Sequence, residues 1–278
     1  MDQYWVIGNP IAHSKSPLIH RLFAEQTQES LNYAPLLGEE GRFAQQVQEA
    51  LQGSGKGMNV TLPFKEQAWA LAEVRSQAAQ AAGAVNTLWR DEQGRLCGDN
   101  TDGCGLVTDL IKNHHVMLSG QRVLLLGAGG AARGVVLPLL QAGVAELVIA
   151  NRTLSKAETL VNDLAPFALN AARLHACAFS DLGEAPFDLI INATSASLQG
   201  ALPAISTKLV STHTLCYDMM YAAEPTAFCL WAEAQGGRAL DGLGMLIEQA
   251  AEAFYIWRGV RPQTASVMQA LRQALQNV

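Results

Sequence analysis

The sequence predicts an α/β protein with a mixed or parallel sheet in its first part and a Rossmann-like sheet in its second. Three observations carry that prediction. Runs rich in β-formers alternate with segments of helical period along most of the 278 residues, the pattern of strands joined by helical crossovers. Strand candidates such as "VLLL", "LVIA" and "LIIN" are continuously apolar, as strands covered on both faces must be. A glycine-rich stretch, "GAGGAA" at 127–132, stands between a strand and a helix, the place such a turn holds in a dinucleotide-binding unit.

In chain order, "YWVIG" is a short strand ended by Gly8-Asn9-Pro10. Ser16-Pro17 opens the amphipathic segment "LIHRLFAEQTQ", with proline in the first turn, where its missing N–H costs little. "LNYAPLL" is a second strand, "RFAQQVQEALQ" a helix closed by Gly53, and "KGMNV" a third strand. "AGAVNTLWR" and "RLCGDN" flank "DEQG", a hairpin signal. A second series starts at "DGCGLVTDLIKN": "RVLLLGAGGAARGVVLPLLQAG" is strand, turn and helix, "ELVIANR" the next strand and "LSKAETLVNDL" a helix. "DLIINAT" and "HTLCYDM" follow as strands and "PTAFCLWAEAQ" as a helix. Two closing helices, around 243–257 and 264–277, have no strand to follow and are expected to fold back onto the first series. The expected domains are therefore 1–101 with 243–278, and 102–242.

Composition narrows the partners. Lys+Arg is 19 against Asp+Glu 25, a net charge of −6, without the basic footprint of a nucleic-acid binder. The cysteines, Cys97, Cys104, Cys177, Cys216 and Cys229, are odd in number and lack C-x-x-C spacing. Neither a disulfide framework nor a metal site is expected, which fits a reducing, cytoplasmic setting. The opening "MDQYWVIGNP" lacks the basic start and apolar core of a signal peptide. No apolar run reaches the roughly 18 residues of a membrane span. A monomer and a homodimer are equally compatible with the pattern.

The turn at 127–132 has definite chemistry. Gly127 permits the tight bend, Ala128 continues it, and Gly129 lets backbone approach a pyrophosphate. Gly130 and Ala131 open the helix, whose free N–H groups attract an anion, and Ala132 meets the need for a small residue against the sheet. The NAD pattern wants an acid about 20 residues further on. That strand end offers Asn151 and Arg152, with Thr153 and Lys156 just after. An acid would repel a 2′-phosphate, whereas an arginine can pair with it bidentately. Alone, this is an exposed basic turn; with the glycine turn it points to NADP.

"NVTLPFKE" at 59–66 poses a separate question. Val60 and Leu62 read as the apolar side of a strand end, Asn59 and Thr61 as the other side, with Pro63 as the stop and Lys65 just beyond. In isolation this would be a solvated terminus.

The motifs "GNPIAHSKSPLIH", "GMNVTLPFKE", "AGAVNTL", "GDNTDG", "GAGGAARGV", "NRT", "INATS", "YDMMY" and "DGLGMLIEQAA" together resemble those of the shikimate dehydrogenase family, NADP-dependent enzymes of aromatic biosynthesis. The resemblance runs in order from residue 4 to about residue 260. It implies a substrate domain, an NADP domain and C-terminal helices returning to the first. It also implies reversible hydride transfer at C3 between shikimate and 3-dehydroshikimate. By the same resemblance, Ser14 and Ser16 hold the substrate carboxylate. Asn59, Thr61, Asn86, Asp102 and Gln249 meet its hydroxyls, and Tyr221 is a substrate-side tyrosine. Lys65 with Asp102 forms the catalytic pair, and Met219 and Gly242 line the nicotinamide. His13 is expected to be a framework residue.

Two positions depart from the family pattern: Ser197 stands at a usual glycine, and Gln77 where some members carry an acid. The rivals are a quinate/shikimate dehydrogenase paralogue and a non-catalytic nucleotide sensor. Both serines, Arg152 and the intact Lys65–Asp102 pair weigh against them.

Overall fold

The computed structural model describes residues 1–168, 173–194, 196 and 200–276. They divide into two compact units, Met1–Gly105 with Ile247–Leu271, and Leu106–Leu246 with Arg272–Val278.

The first unit carries strands β1 (Asp2–Gly8), β2 (Leu31–Leu37), β3 (Gly55–Val60), β4 (Val74–Arg75), β5 (Thr87–Arg90) and β6 (Leu96–Asp99). Their order in the sheet is β2-β1-β3-β5-β6-β4. The β2-β1-β3 edge is parallel, β5 runs antiparallel to both β3 and β6, and β4 pairs in parallel with β6, so the sheet is mixed. Helices α1 (Ser16–Thr27), α2 (Phe43–Ala50), α3 (Lys65–Leu71), α4 (Gln77–Ala82) and α5 (Asp102–Thr108) connect or follow the strands. Ile7, Phe43, Val47, Met58, Phe64 and Leu88 share one fully enclosed core on one face of the sheet. Pattern reading missed α3, α4 and the two-residue β4, which are too short to show a period.

The second unit is Rossmann-like. Its strands are β7 (Arg122–Leu126), β8 (Glu146–Asn151), β9 (Arg173–Ala178), β10 (Leu189–Asn192), β11 (Leu215–Asp218) and β12 (Arg238–Leu240). All pair in parallel, in the order β12-β11-β10-β7-β8-β9. Read from the other edge, this is the dinucleotide-binding order, with its topological switch beside the first strand of the series. Leu124, Leu126, Ile190 and Cys216 are buried, as continuously apolar strands require. Helices α6 (Gly130–Gln141), α7 (Leu154–Leu164) and α8 (Ala227–Ala234) cover the sheet. The edge strands β9 and β12 escaped the sequence reading. Partly exposed "RLHACA" and three-residue "RAL" lack the apolar run that marks a central strand.

Helices α9 (Leu243–Arg258) and α10 (Ala265–Gln276) close the chain. Residues 247–271 group with the first unit, whereas 243–246 and the chain from Arg272 group with the second. The Trp257 indole N–H donates to the Leu88 carbonyl at 3.2 Å, and Arg258 pairs with Asp2 and with Glu29.

His20, on α1, is 1% exposed and its two ring nitrogens have no hydrogen-bond partner among the described residues. The ring stacks on Tyr33 at 4.1 Å and sits among Phe23, Phe254 and Trp257. Burial lowers its pKa to about 3, with the nearby Asn59 side chain opposing the shift. The unfolded chain binds this proton below about pH 6.5 and the folded chain cannot. The sign is therefore fixed: this contribution to stability is complete above pH 6.5 and is lost as pH falls towards 3. Between pH 7 and pH 5 the loss is about 2 kcal/mol. Urea unfolding of the wild type and of His20→Phe at the two pH values should show a steeper acid loss in the wild type by that amount. Equal slopes would mean that the ring is hydrated or charged in the folded state.

Candidate functional site

In the first unit, β3 ends at Val60, whose N–H donates to the Asn86 carbonyl at 2.8 Å, and the Thr61 N–H donates to Ile7 at 2.9 Å. Leu62 does not share the apolar side with Val60. It is 73% exposed, because the strand has already stopped and the next residues form the turn into α3. Lys65 is the first residue of α3 and Asp102 the first of α5. The Asn100 side chain accepts the Asp102 N–H at 3.2 Å, and the helix N-terminus favours the carboxylate. Lys65 Nζ lies 2.6 Å from Asp102 Oδ2, with side-chain exposures of 26% and 17%. The pair is partly desolvated yet open to a ligand.

Around the pair lies a polar cluster. Asn86, 3% exposed, donates to Asp102 Oδ1 at 2.9 Å and to Gln249 Oε1 at 3.3 Å. Its amide oxygen accepts the backbone N–H of Thr101 at 3.0 Å and the Thr87 hydroxyl at 2.8 Å. Asn59 donates to the Asn86 carbonyl and to Thr87 Oγ1, each at 3.1 Å. The fold thus gathers Asn59, Lys65, Asn86, Asp102 and Gln249 from four separate stretches of chain. Thr87 and Thr101 belong to the same cluster and were not singled out from sequence. Their only signal was adjacency to Asn86 and Asp102 within two motifs.

Ser14 and Ser16 are half-buried at the start of α1. Ser14 Oγ accepts the Ser16 N–H at 3.3 Å, and the helix has no side-chain hydrogen bond from its N-cap residue, Lys15. What capping exists therefore falls to Ser14. His13 is exposed, whereas His20 lies on the buried face of α1. Gln77 opens α4 behind its Ser76 cap.

In the second unit, Gly127 has φ +107°, a backbone that a side chain would strain. A Cβ at Gly129 or Gly130 would meet nothing within 4 Å, so the turn leaves open room against the exposed N-terminus of α6. Ala128 is half-buried and Ala131 exposed at that N-terminus, while Ala132 is fully enclosed against the sheet. At the end of β8, Asn151 donates to the Thr153 carbonyl at 2.9 Å, shaping the turn that presents Arg152. Arg152 and Lys156 are exposed and neither makes a salt bridge among the described residues. Ala128, Arg133, Ser155, Lys156 and Thr159 help line a shallow pocket of about 230 Å³. Arg133 is ion-paired with Asp163; it and the two hydroxyls were not among the expected residues. Free N–H groups, an open glycine turn and two cations together fit a phosphorylated dinucleotide.

Met219 and Gly242 meet in this unit: a Cβ on Gly242 would lie 2.2 Å from the Met219 carbonyl oxygen. Tyr221 also belongs here, its phenol pushed up by burial and by Asp241. Ser197 lies outside the described residues. The described residues contain no cluster of metal-ligating side chains and no helix long and apolar enough to cross a membrane.

A Rossmann-type sheet with an open glycine turn and a cationic strand end shares its chain with a lysine–carboxylate pair set in amides and hydroxyls. That combination defines the class of two-domain, dinucleotide-dependent dehydrogenases. Family models described as the shikimate dehydrogenase substrate binding domain, the shikimate/quinate 5-dehydrogenase and the shikimate 5′-dehydrogenase C-terminal domain match residues 6–88, 109–208 and 242–272. A shikimate dehydrogenase (NADP(+)) of Hahella chejuensis is 54% identical over 98% of this chain and 99% of its own length. Among solved structures, an Ael1 enzyme from Pseudomonas putida is 46% identical with a TM-score of 0.91, covering 98% of both chains. The shikimate 5-dehydrogenase of Thermus thermophilus, in complex with NADP(H) and shikimate, is 32% identical with a TM-score of 0.86, covering 99% of this chain and 100% of that one. The chain belongs to the shikimate dehydrogenase family.

Proposed function

We propose how this chain carries out its family's reaction, the NADP-dependent, reversible reduction of 3-dehydroshikimate to shikimate. The first unit is the substrate half and the second the cofactor half. NADPH, when bound, supplies the hydride. Gly127 to Ala131 face its pyrophosphate, Arg152 with Asn151, Thr153 and Lys156 holds its 2′-phosphate, and Met219 and Gly242 border its nicotinamide. Ser14 and Ser16 grip the substrate carboxylate. Asn59, Thr61, Asn86, Asp102 and Gln249 meet the ring hydroxyls, with Tyr221 on the substrate side. Lys65 gives a proton to the oxygen that becomes the new hydroxyl, and Asp102 holds Lys65 in place.

The observation that supports this reading best is the Lys65–Asp102 contact of 2.6 Å, set among Asn86 and Gln249. A small polar anion offers little apolar surface, so its site must be built from fixed hydrogen-bonding groups. A substrate lacking one hydroxyl then leaves a buried partner unpaired and is rejected.

Steady-state kinetics with shikimate and quinate, each with NADP and NAD, test the reading. The expected result is the highest kcat/KM for shikimate with NADP; a higher value with quinate or NAD overturns it. In the same assay Ser14→Ala and Ser16→Ala should raise KM for shikimate and leave that for NADP nearly unchanged. An unchanged KM with about 1 kcal/mol of lost stability would reduce the serines to helix caps.

A further inference from the structure

We propose that Tyr33 and Thr87 are positioning residues that tie Asn59 and Asn86 to the catalytic pair through one directed chain of hydrogen bonds. The inference rests on the site roles given above and adds two residues to them. Tyr33 lies on β2 and is 8% exposed. Its hydroxyl donates to Asn59 Oδ1 at 2.8 Å, and the Ser16 side chain lies near the phenol. Asn59 passes the chain on through its amide nitrogen to Thr87 Oγ1 at 3.1 Å. Thr87, with no exposure, stands directly opposite Asn59 in the β3–β5 pairing and donates to Asn86 Oδ1 at 2.8 Å. Asn86 donates to Asp102 Oδ1 at 2.9 Å, and Asp102 Oδ2 holds Lys65 at 2.6 Å.

The direction of this chain matters. From Tyr33 onward each group donates towards the Asp102 carboxylate, so each bond polarises the next in the same sense. An asparagine amide has two ends of nearly equal size and different chemistry. At Asn59 the Asn86 carbonyl can only accept, so it requires the nitrogen end; the Tyr33 hydroxyl secures the oxygen end. At Asn86 the Thr101 N–H and the Thr87 hydroxyl hold the oxygen end, which leaves the nitrogen for Asp102. Tyr33 is itself immobilised by the parallel stack on His20. Remove either hydroxyl and an amide that shapes the substrate site loses a constraint, although neither residue is assigned a contact with the substrate.

The test uses Tyr33→Phe, Thr87→Val and Thr87→Ser in the full-length enzyme. Tyr33→Phe and Thr87→Val should each lower kcat/KM for shikimate roughly 2- to 10-fold, the worth of one buried hydrogen bond, with KM for NADP unchanged. Thr87→Ser, which keeps the hydroxyl, should restore near wild-type kinetics. The Tyr33→Phe/Thr87→Val double variant should lose less than the product of the single losses, because both act on Asn59. Losses that multiply, or loss of stability with unchanged kinetics, overturn the coupling. A readout independent of activity separates this inference from the functional reading. In ¹⁵N-labelled protein, Tyr33→Phe should shift the side-chain amide signals of both Asn59 and Asn86. A shift at Asn59 alone breaks the chain, whatever the enzyme turns over.

Discussion

Replacing Lys65 with alanine is expected to lower kcat by at least about 10²-fold, while KM for shikimate moves much less. The ammonium sits 2.6 Å from Asp102 Oδ2, and the other oxygen of that carboxylate is held by Asn86. Asp102 is thus anchored from two sides, and Lys65 is the group with a proton to give. As a proton donor it suits the reductive direction, in which a proton must reach the oxygen of the forming alcohol. General acid–base help of this kind is worth about 10²–10⁴ in rate. Asp102→Asn should damage kcat and KM together. It removes the charge that holds Lys65, and it leaves one accepting oxygen where Lys65 and Asn86 each used their own, the amide nitrogen being a donor only. Steady-state rates in both directions, with a thermal melt to exclude misfolding, make the comparison. Near-normal kcat with weakened affinity in Lys65→Ala would make Lys65 a binding residue and send the proton by another route.

Arg152→Ala should raise KM for NADP about 10- to 150-fold and leave use of NAD almost unchanged. Charge-assisted hydrogen bonds contribute about 1.5–3 kcal/mol, and the 2′-phosphate is the only chemical difference between the two dinucleotides. The side chain is exposed at the end of β8 and salt-bridged to no described residue, so its loss should leave the fold undisturbed. Thr153 precedes α7 without making a side-chain cap, so its hydroxyl is not used by the helix at the same turn. Equal losses for NADP and NAD would show that Arg152 shapes the turn and does not read the phosphate.

Much of this was legible in the chain itself. The glycine turn, the absent acid and the arginine after β8 are local features: the bend, the helix N-terminus and the cations lie within a few dozen residues. Each element forms for reasons of backbone conformation and charge that a short window displays. The apolar strands of the second unit announced a sheet covered on both faces. The short or partly exposed elements, β4, β9, β12, α3 and α4, did not show, because their stability comes from neighbours and not from their own period.

By itself, then, the sequence determined the fold class, the preference for a 2′-phosphate and, through its motifs, the family. Only the tertiary structure decided what surrounds each polar side chain. Nothing in "LNYAPLL" says that Tyr33 will donate to Asn59, twenty-six positions later, or that Asn86 will turn its nitrogen to Asp102. Leu62 reads as apolar strand yet faces solvent, and of two histidines in one motif His20 is enclosed while His13 is exposed. The physical reason is the same in each case. An amide, hydroxyl or imidazole can serve several partners equally well, and the choice among them is made by which strands and helices the folded chain brings within about 3 Å.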